Sequence, residues 1–195
     1  MLVAGGVLLV CVLARLLFGV ACRRMALRSV PAEELRSGDL LLLGSCTIRG
    51  MVVRLLNSDT DYAHVALVCK GPDGDLLLLH ADPGQGCMAE PLSAHLARHE
   101  VPGVAVLRPQ APPETLQAAV AYAWRAVEEK RPFNHTFRYG EDKGVYCTEL
   151  VLEAYRQTGV QLLPDIVRRG AMIRPEELLQ SKALAVTLET ASPRR

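Results

Sequence analysis

Two apolar runs, Val65–Cys69 and Leu76–His80, flank the tetrad Gly71-Pro72-Asp73-Gly74, and no other feature limits the fold of this chain as tightly. Proline presets one φ and glycine supplies the conformational freedom a reversal needs, so the two runs are set to fold back on each other as an antiparallel hairpin. That pairing has a chemical consequence. His64 stands at the start of the first run and His80 at the end of the second, so the hairpin makes the two imidazoles neighbours at its open end.

Around the hairpin the sequence alternates turns with short periodic segments. Ser37-Gly38-Asp39 is a turn feeding a strand over Leu40–Leu43. Ile48, Met51, Val52, Leu55 and Leu56 recur at helical spacing with Arg49 and Arg54 on the other side, and Asn57–Asp61 reads as a polar loop. Asp82-Pro83-Gly84-Gln85-Gly86 predicts a further turn, followed by a short strand around Met88, a helix over Leu92–Arg98 and a strand over Gly103–Arg108. Pro112-Pro113-Glu114 opens the longest soluble helix, Thr115–Lys130, with Leu116, Ala119, Val120, Ala123, Trp124 and Val127 as its buried stripe. Trp124 therefore reads as core. A loop over Arg131–Gly144 leads to a helix headed by Cys147, and Ile173-Arg174-Pro175-Glu176-Glu177-Leu178 begins a last short one. Strands first, then helices, then a strand-poor end describe an α+β domain with a small antiparallel sheet.

The N-terminus obeys different rules. Leu2–Cys22 is apolar except for Arg15, long enough to cross ~30 Å of hydrocarbon, and Arg23, Arg24 and Arg28 follow it. A secretory signal carries its positive charges before the apolar stretch, so residues 1–24 read as a single-pass membrane anchor. A cleaved signal or a lipid-modified Cys22 are the alternatives. The positive-inside rule then favours the cytoplasmic face for the globular part. Residues 25–36 form a basic linker with a short helical turn, 37–185 the domain and 186–195 a tail. About 170 residues outside the apolar run suffice for one core and one active site. The net charge is +1 with no basic stripe interleaved with aromatics, which argues against a nucleic-acid partner. Of six cysteines, Cys11 and Cys22 lie in or beside the apolar run. Cys46, Cys69, Cys87 and Cys147 form no CxxC pair, so neither a zinc ribbon nor a thioredoxin-type motif is supported.

Cys147 follows a polar loop and opens an apolar helical pattern, Cys147-Thr148-Glu149-Leu150-Val151-Leu152. Unpaired N–H groups and the positive end of the helix dipole favour a thiolate there, and His64 and His80 are the candidate bases. Taken one at a time, the plain readings are a buried structural thiol and two satisfied core histidines. A zinc site from His64, His80 and Cys147 has suitable ligand types, but it must borrow a fourth ligand from Asp82 or Cys87 and no compact spacing supports it. No metal and no cofactor are expected. His95 and His99 lie one helical turn apart without the glutamate of an HExxH helix, and read as solvent-facing. Glu149 reads as a cap or dipole partner. Asn134-His135-Thr136 matches a glycosylation acceptor, and His135 is placed to line a cleft before the nucleophile.

Four strings in order, Ser37-Gly38-Asp39-Leu40, Tyr62-Ala63-His64-Val65, Tyr146-Cys147-Thr148-Glu149-Leu150-Val151 and Ile173-Arg174-Pro175-Glu176-Glu177-Leu178, resemble the YiiX-like proteins. These belong to the circularly permuted branch of the NlpC-type papain-like cysteine hydrolases. The likeness spans Ser37–Leu184, and histidine precedes cysteine as that branch requires. Lecithin:retinol acyltransferase-like proteins share the order. The resemblance implies a permuted papain-like fold, with Cys147 as nucleophile, His64 as general base and His80 as the residue orienting it. YiiX-like proteins often carry glutamate at the position of His80, whereas the acyltransferase-like branch carries histidine, so this chain matches the latter there. The chemistry implied is attack of the Cys147 thiolate on a carbonyl to give an acyl-enzyme. Backbone N–H groups at the helix start would hold the oxyanion, with Tyr62, Tyr146 and Thr148 at the cleft. Water then gives hydrolysis of a peptide-like or lipid-like amide or ester, and an amine or alcohol gives acyl transfer. The expected function is thus a membrane-tethered amidase or peptidase. The alternatives are a lipid acyltransferase, thioesterase or phospholipase on the same triad, a silent module that binds lipid or peptide in the cleft, and a structural membrane protein that recruits partners.

Overall fold

Leu40–Gly44 carries no polar side chain and is buried along its whole length, as a strand covered on both faces must be. In the computed structural model it is β1, one of the two central strands of a six-stranded sheet. The structure describes residues 30, 32–44, 62–71, 73–98, 101, 103–141, 143–164 and 169–190. The other strands are β2 (Tyr62–Lys70), β3 (Leu76–Asp82), β4 (Gly86–Pro91), β5 (Val104–Pro109) and β6 (Leu184–Glu189), in the order β4-β3-β2-β1-β5-β6. Every neighbouring pair is antiparallel. The expected hairpin is present, with Leu67 opposite Leu79 and Lys70 opposite Leu76.

Strand alternation gives the sheet two different faces. Leu40, Leu42, Val65, Leu67, Leu79 and Ala81 pack with the helices α2 (Pro113–Glu128) and α3 (Cys147–Arg156) in the larger core. Leu41, Leu43, Ala66, Val68 and Leu78 point the other way, where the short helix α1 (Leu92–Arg98) covers them with Leu92 and Leu96. Each fully buried leucine contributes about 1.5–3 kcal/mol by leaving water. The domain therefore rests on both layers, and each strand feeds both.

The turn before β1 is fixed from three sides. Gly38 has φ +96°, and a Cβ there would stand 2.9 Å from the Cβ of Leu116 on α2. The Tyr155 hydroxyl of α3 donates to the Gly38 carbonyl. Buried Asp39 takes both Nε and Nη2 of Arg108 on β5, at 2.9 and 2.8 Å, together with the Arg36 N–H at 2.9 Å. The Ser37-Gly38-Asp39 string is thus structural.

Several expectations are corrected. The C-terminal end is not strand-poor: β6 pairs with β5 through Glu189, so the sheet runs four residues past position 185 into the segment read as a tail. Its alternation was hidden by exposed positions at an edge, such as Val186. The last short helix is a 3-10 turn over Pro175–Gln180. The long helix begins two residues earlier than Thr115, because Pro113 serves as its first turn. His95 is buried, at 5% exposure, rather than facing solvent. The anchor over 1–24, the helical spacing of Ile48–Leu56, the loop Asn57–Asp61, Cys46 and His99 lie outside the described residues. Among the described residues no helix is long and apolar enough to cross a membrane.

Candidate active site

Cys147 is the first residue of α3, where the loop Arg131–Gly144 ends against the sheet. That loop is pinned immediately before the nucleophile. The Val145 N–H donates to Pro132 at 3.0 Å, the Asn134 N–H donates to Val145 at 3.2 Å, and a Cβ on Gly144 would fall 2.5 Å from the Pro132 carbonyl oxygen. Glu149 completes the anchor. Its carboxylate accepts from the N–H groups of Gly140 (2.7 Å) and Tyr146 (3.4 Å) and from Asn134 Nδ2 (3.1 Å), a cap as its position suggested. Asn134 is fully buried in this network and unavailable as a glycan acceptor.

The thiol itself lies in the larger core at 8% exposure. Burial pushes the Cys147 thiol above its ordinary value, against hydrogen bonds from the backbone N–H of Val65, from Thr148 and from its own N–H that favour the thiolate. The helix start thus supplies the donors foreseen from the sequence, yet desolvation wins and the resting group is a thiol. Val65 is the residue after His64, so the sulfur sits against β2 one position from the candidate base.

His64 lies where β2 departs from regular pairing. Leu43 faces His64 and Gly44 faces Tyr62, which leaves Ala63 as the extra residue of a bulge. The β2–β3 register, continued to the open end, places His64 diagonal to His80 rather than directly across. Their side chains nevertheless meet, His64 Nε2 standing 3.0 Å from His80 Nδ1. The His64 ring also stacks on His95 of α1, with centroids 5.7 Å apart and planes 14° apart.

Behind His80 the structure supplies a residue that sequence reasoning missed. Glu90 of β4, itself buried, places Oε1 2.8 Å from His80 Nε2 and 2.7 Å from His95 Nδ1, while Arg98 donates to Oε2. A carboxylate only accepts, so both ring nitrogens that touch it carry hydrogen. Burial and the charge of His95 lower His80 to about 4, against the opposing pull of Glu90 and Asp82. Burial alone would raise Glu90, but hydrogen bonding and charge from His95, with the charges of His80 and Arg98, outweigh it and hold the carboxyl below its usual range. Signals for both residues existed in the sequence. Leu92, His95 and Leu96 share the i, i+3, i+4 stripe of α1, and Glu90 occupies an inward position of an otherwise small, apolar strand.

The remaining candidates divide. Thr148 is buried with Oγ1 3.9 Å from Cys147 Sγ. The Tyr146 hydroxyl accepts the Ile173 N–H at 3.0 Å, and the Tyr62 hydroxyl donates to Glu189 of β6 at 3.3 Å. Both hydroxyls thus have partners other than a substrate oxyanion. His135 stands edge-on to Phe133, centroids 5.0 Å apart, in the loop before the nucleophile. The three free cysteines among the described residues are Cys69, Cys87 and Cys147.

His80, Glu90 and His95 can each offer one ligand atom, all within 4.8 Å, and their types suit zinc. Their hydrogen bonding does not fit an ion as arranged. Both ring N–H groups already point at one carboxylate oxygen, and a dication would have to displace those protons beside the Arg98 guanidinium. Among the described residues, the buried side-chain polar atom without a partner is Glu176 Oε2, outside this cluster.

Residues 34–185, most of the chain, match the family described as permuted papain-like amidase enzyme, YaeF/YiiX, C92 family. The chain belongs to this family of permuted papain-like amidases. The match begins before β1 and ends at the start of β6, so it covers every element that carries a site residue. A crystal structure described as metalloprotein yiiX from Escherichia coli O157:H7 is similar in fold, with a TM-score of 0.66 at 16% identity, covering 80% of this chain and 97% of that one. No curated protein matches the chain.

Proposed function

We propose that the chain is a thiol hydrolase of amide bonds in which Cys147 attacks the carbonyl, His64 takes the thiol proton and His80 holds His64 in place. One observation carries this reading: Cys147 Sγ, at the head of α3, takes the N–H of Val65, next in chain to a histidine bonded at 3.0 Å to a second histidine. Because burial keeps the resting sulfur protonated, the proton moves to His64 as the sulfur attacks, instead of a standing ion pair doing the work. The N–H groups at the α3 start face the oxygen that becomes negative, the amine leaves with the proton from His64, and water releases the acyl group. Family membership supports the amide as the scissile bond.

The histidine in the third position also favours a second outcome for the same acyl-enzyme, transfer to an amine or alcohol. The apolar run Leu2–Cys22 supports membrane tethering, and with it an amide substrate held at or near a lipid surface. The similar Escherichia coli structure is described as a metalloprotein. No metal step is carried to this chain, whose His80 and His95 rings both bond Glu90 Oε1 beside the Arg98 guanidinium. The test is hydrolysis of a panel of acyl amides by the full chain in detergent or vesicles, against Cys147→Ala. Amine release that disappears with the thiol supports the reading. Release that survives in Cys147→Ala overturns it, and a transferred acyl group on an added amine would select acyl transfer.

A further inference from the structure

We infer that Phe137, held in the left-handed region by the buried Asn134–Glu149 pair, is a positioning residue for Cys147 and acts through Tyr146. This rests on the function proposed above and deepens it. Among the described residues, two that are not glycine have positive φ, Lys130 at +49° and Phe137 at +54°. Lys130 stands just beyond the end of α2, an ordinary place for that conformation. Phe137 ends no helix. It lies in the loop before the nucleophile, and an aromatic residue keeps so strained a backbone only where its surroundings over-determine it.

The surroundings do so. Asn134 is fully buried and spends its whole side-chain amide on this turn. Its Oδ1 accepts the Thr136 N–H at 3.0 Å and the Thr136 hydroxyl at 2.7 Å, and its Nδ2 donates to the Arg138 carbonyl at 3.0 Å and to Glu149 Oε2 at 3.1 Å. The Arg138 N–H donates in turn to Thr136 Oγ1 at 3.3 Å. One amide thus fixes the chain on both sides of Phe137, and Glu149 ties that amide to the first turn of α3. Glu149 is itself buried, and its Oε1 takes the Gly140 N–H at 2.7 Å, beyond the turn. The strain places a ring. Phe137 stands with its centroid 5.6 Å from Phe133 and 5.6 Å from Tyr146. Tyr146 immediately precedes Cys147 and is held by its ring against Phe137, by its N–H on Glu149 at 3.4 Å and by its hydroxyl under the Ile173 N–H at 3.0 Å. How Tyr146 is held sets the direction of Cys147 at the head of α3.

The experiment uses the full chain with p-nitrophenyl acetate as acylating probe and separates the amplitude of the p-nitrophenol burst from its rate constant. Backbone NMR shifts of Phe137 are recorded on the same samples. Expected for the wild type are a burst absent in Cys147→Ala and left-handed shifts at Phe137. Expected for Phe137→Ala is a rate constant at least about 10-fold lower at full amplitude, because a misplaced reacting atom slows attack. Phe137→Tyr keeps the ring and should return the rate constant to within about 3-fold of wild type. Glu149→Gln sets an amide donor against donors, so it should slow the burst in the same way and move the Phe137 shifts out of the left-handed range. A merely structural loop would lower the folded fraction, and so the amplitude, and leave the rate constant alone. A wild-type rate constant in Phe137→Ala overturns the inference. So does a Phe137→Tyr no faster than Phe137→Ala, or a wild-type Phe137 without left-handed shifts. If the wild type shows no burst dependent on Cys147, the hydrolase reading fails and the positioning role with it, whereas a wild-type burst that the variants leave unchanged sinks the positioning role alone.

Discussion

The two faces of the central sheet come from the same strands and hold opposite chemistry. On the α2/α3 face, Val65, Leu67, Leu79 and Ala81 surround Cys147 with a dry apolar core that raises its thiol. On the α1 face, His64, His80, Glu90 and His95 form a polar cluster in which each described contact is a hydrogen bond or ring contact. His80, Glu90 and His95 are buried as Cys147 is, while His64 is half-buried, so burial alone does not set reactivity. What differs is the supply of partners. The sulfur has backbone N–H groups near it, whereas the His80 and His95 imidazoles bond a carboxylate. In the proposed mechanism the desolvated thiol gives its proton to His64, which stands next to the β2 bulge at Ala63.

That contrast can be broken most directly by removing either side of it. Cys147→Ala or His64→Ala should lower amide hydrolysis by at least about 10²–10⁴-fold, read as kcat/KM on the best amide of the panel, with unfolding midpoints close to wild type. Equal activity in His64→Ala would separate the two faces functionally. Next in size is the apolar face by itself. Leu67→Ala, at a fully buried position, should lose about 2–5 kcal/mol of stability in urea denaturation, and a loss below about 1 kcal/mol would show that α3 does not depend on that layer.

The polar face has a pH signature of its own. His80 is lowered from 6.5 to about 4 in the fold, so the unfolded chain binds the extra proton between those values. Stability from this group is fully present above pH 6.5 and is lost as pH falls through about 4, amounting to on the order of 3 kcal/mol. Glu90, also lowered, adds a loss of the same sign in acid. Urea midpoints measured from pH 7 to pH 4 should show the fall, and His80→Asn should flatten it. A smaller effect sharpens the contrast at the sulfur. Iodoacetamide should label Cys147 more slowly at pH 7 than half-buried Cys69, with the rate rising only in alkali, because the resting thiol is raised. Fast labelling at pH 7 would mean a standing ion pair with His64. Smallest of all, Val186→Lys on edge strand β6 should change stability by no more than about 0.5 kcal/mol, since the side chain is half exposed.

Much of the site was legible because it depends on short-range pattern. The Gly71–Gly74 reversal between two apolar runs aligned β2 with β3 and so joined His64 to His80. The polar loop before an apolar helical repeat located Cys147 at a helix start. Glu90 and His95 were harder to read. A lone glutamate near a strand end and a histidine on a seven-residue helix look exposed until α1 folds over β3 and β4. The Tyr62 and Tyr146 hydroxyls, expected at the cleft, meet partners far along the chain, Glu189 and Ile173, which no local pattern names.

The sequence by itself determined most of the elements, the β2–β3 hairpin and the order of histidine before cysteine, since turn chemistry and hydrophobic period act over a few residues. Only the tertiary structure decided the protonation of the thiol, the carboxylate behind His80 and the place of β6 in the sheet. Those depend on desolvation and on contacts between segments distant in the chain, and both come into being only when the two faces of the sheet close.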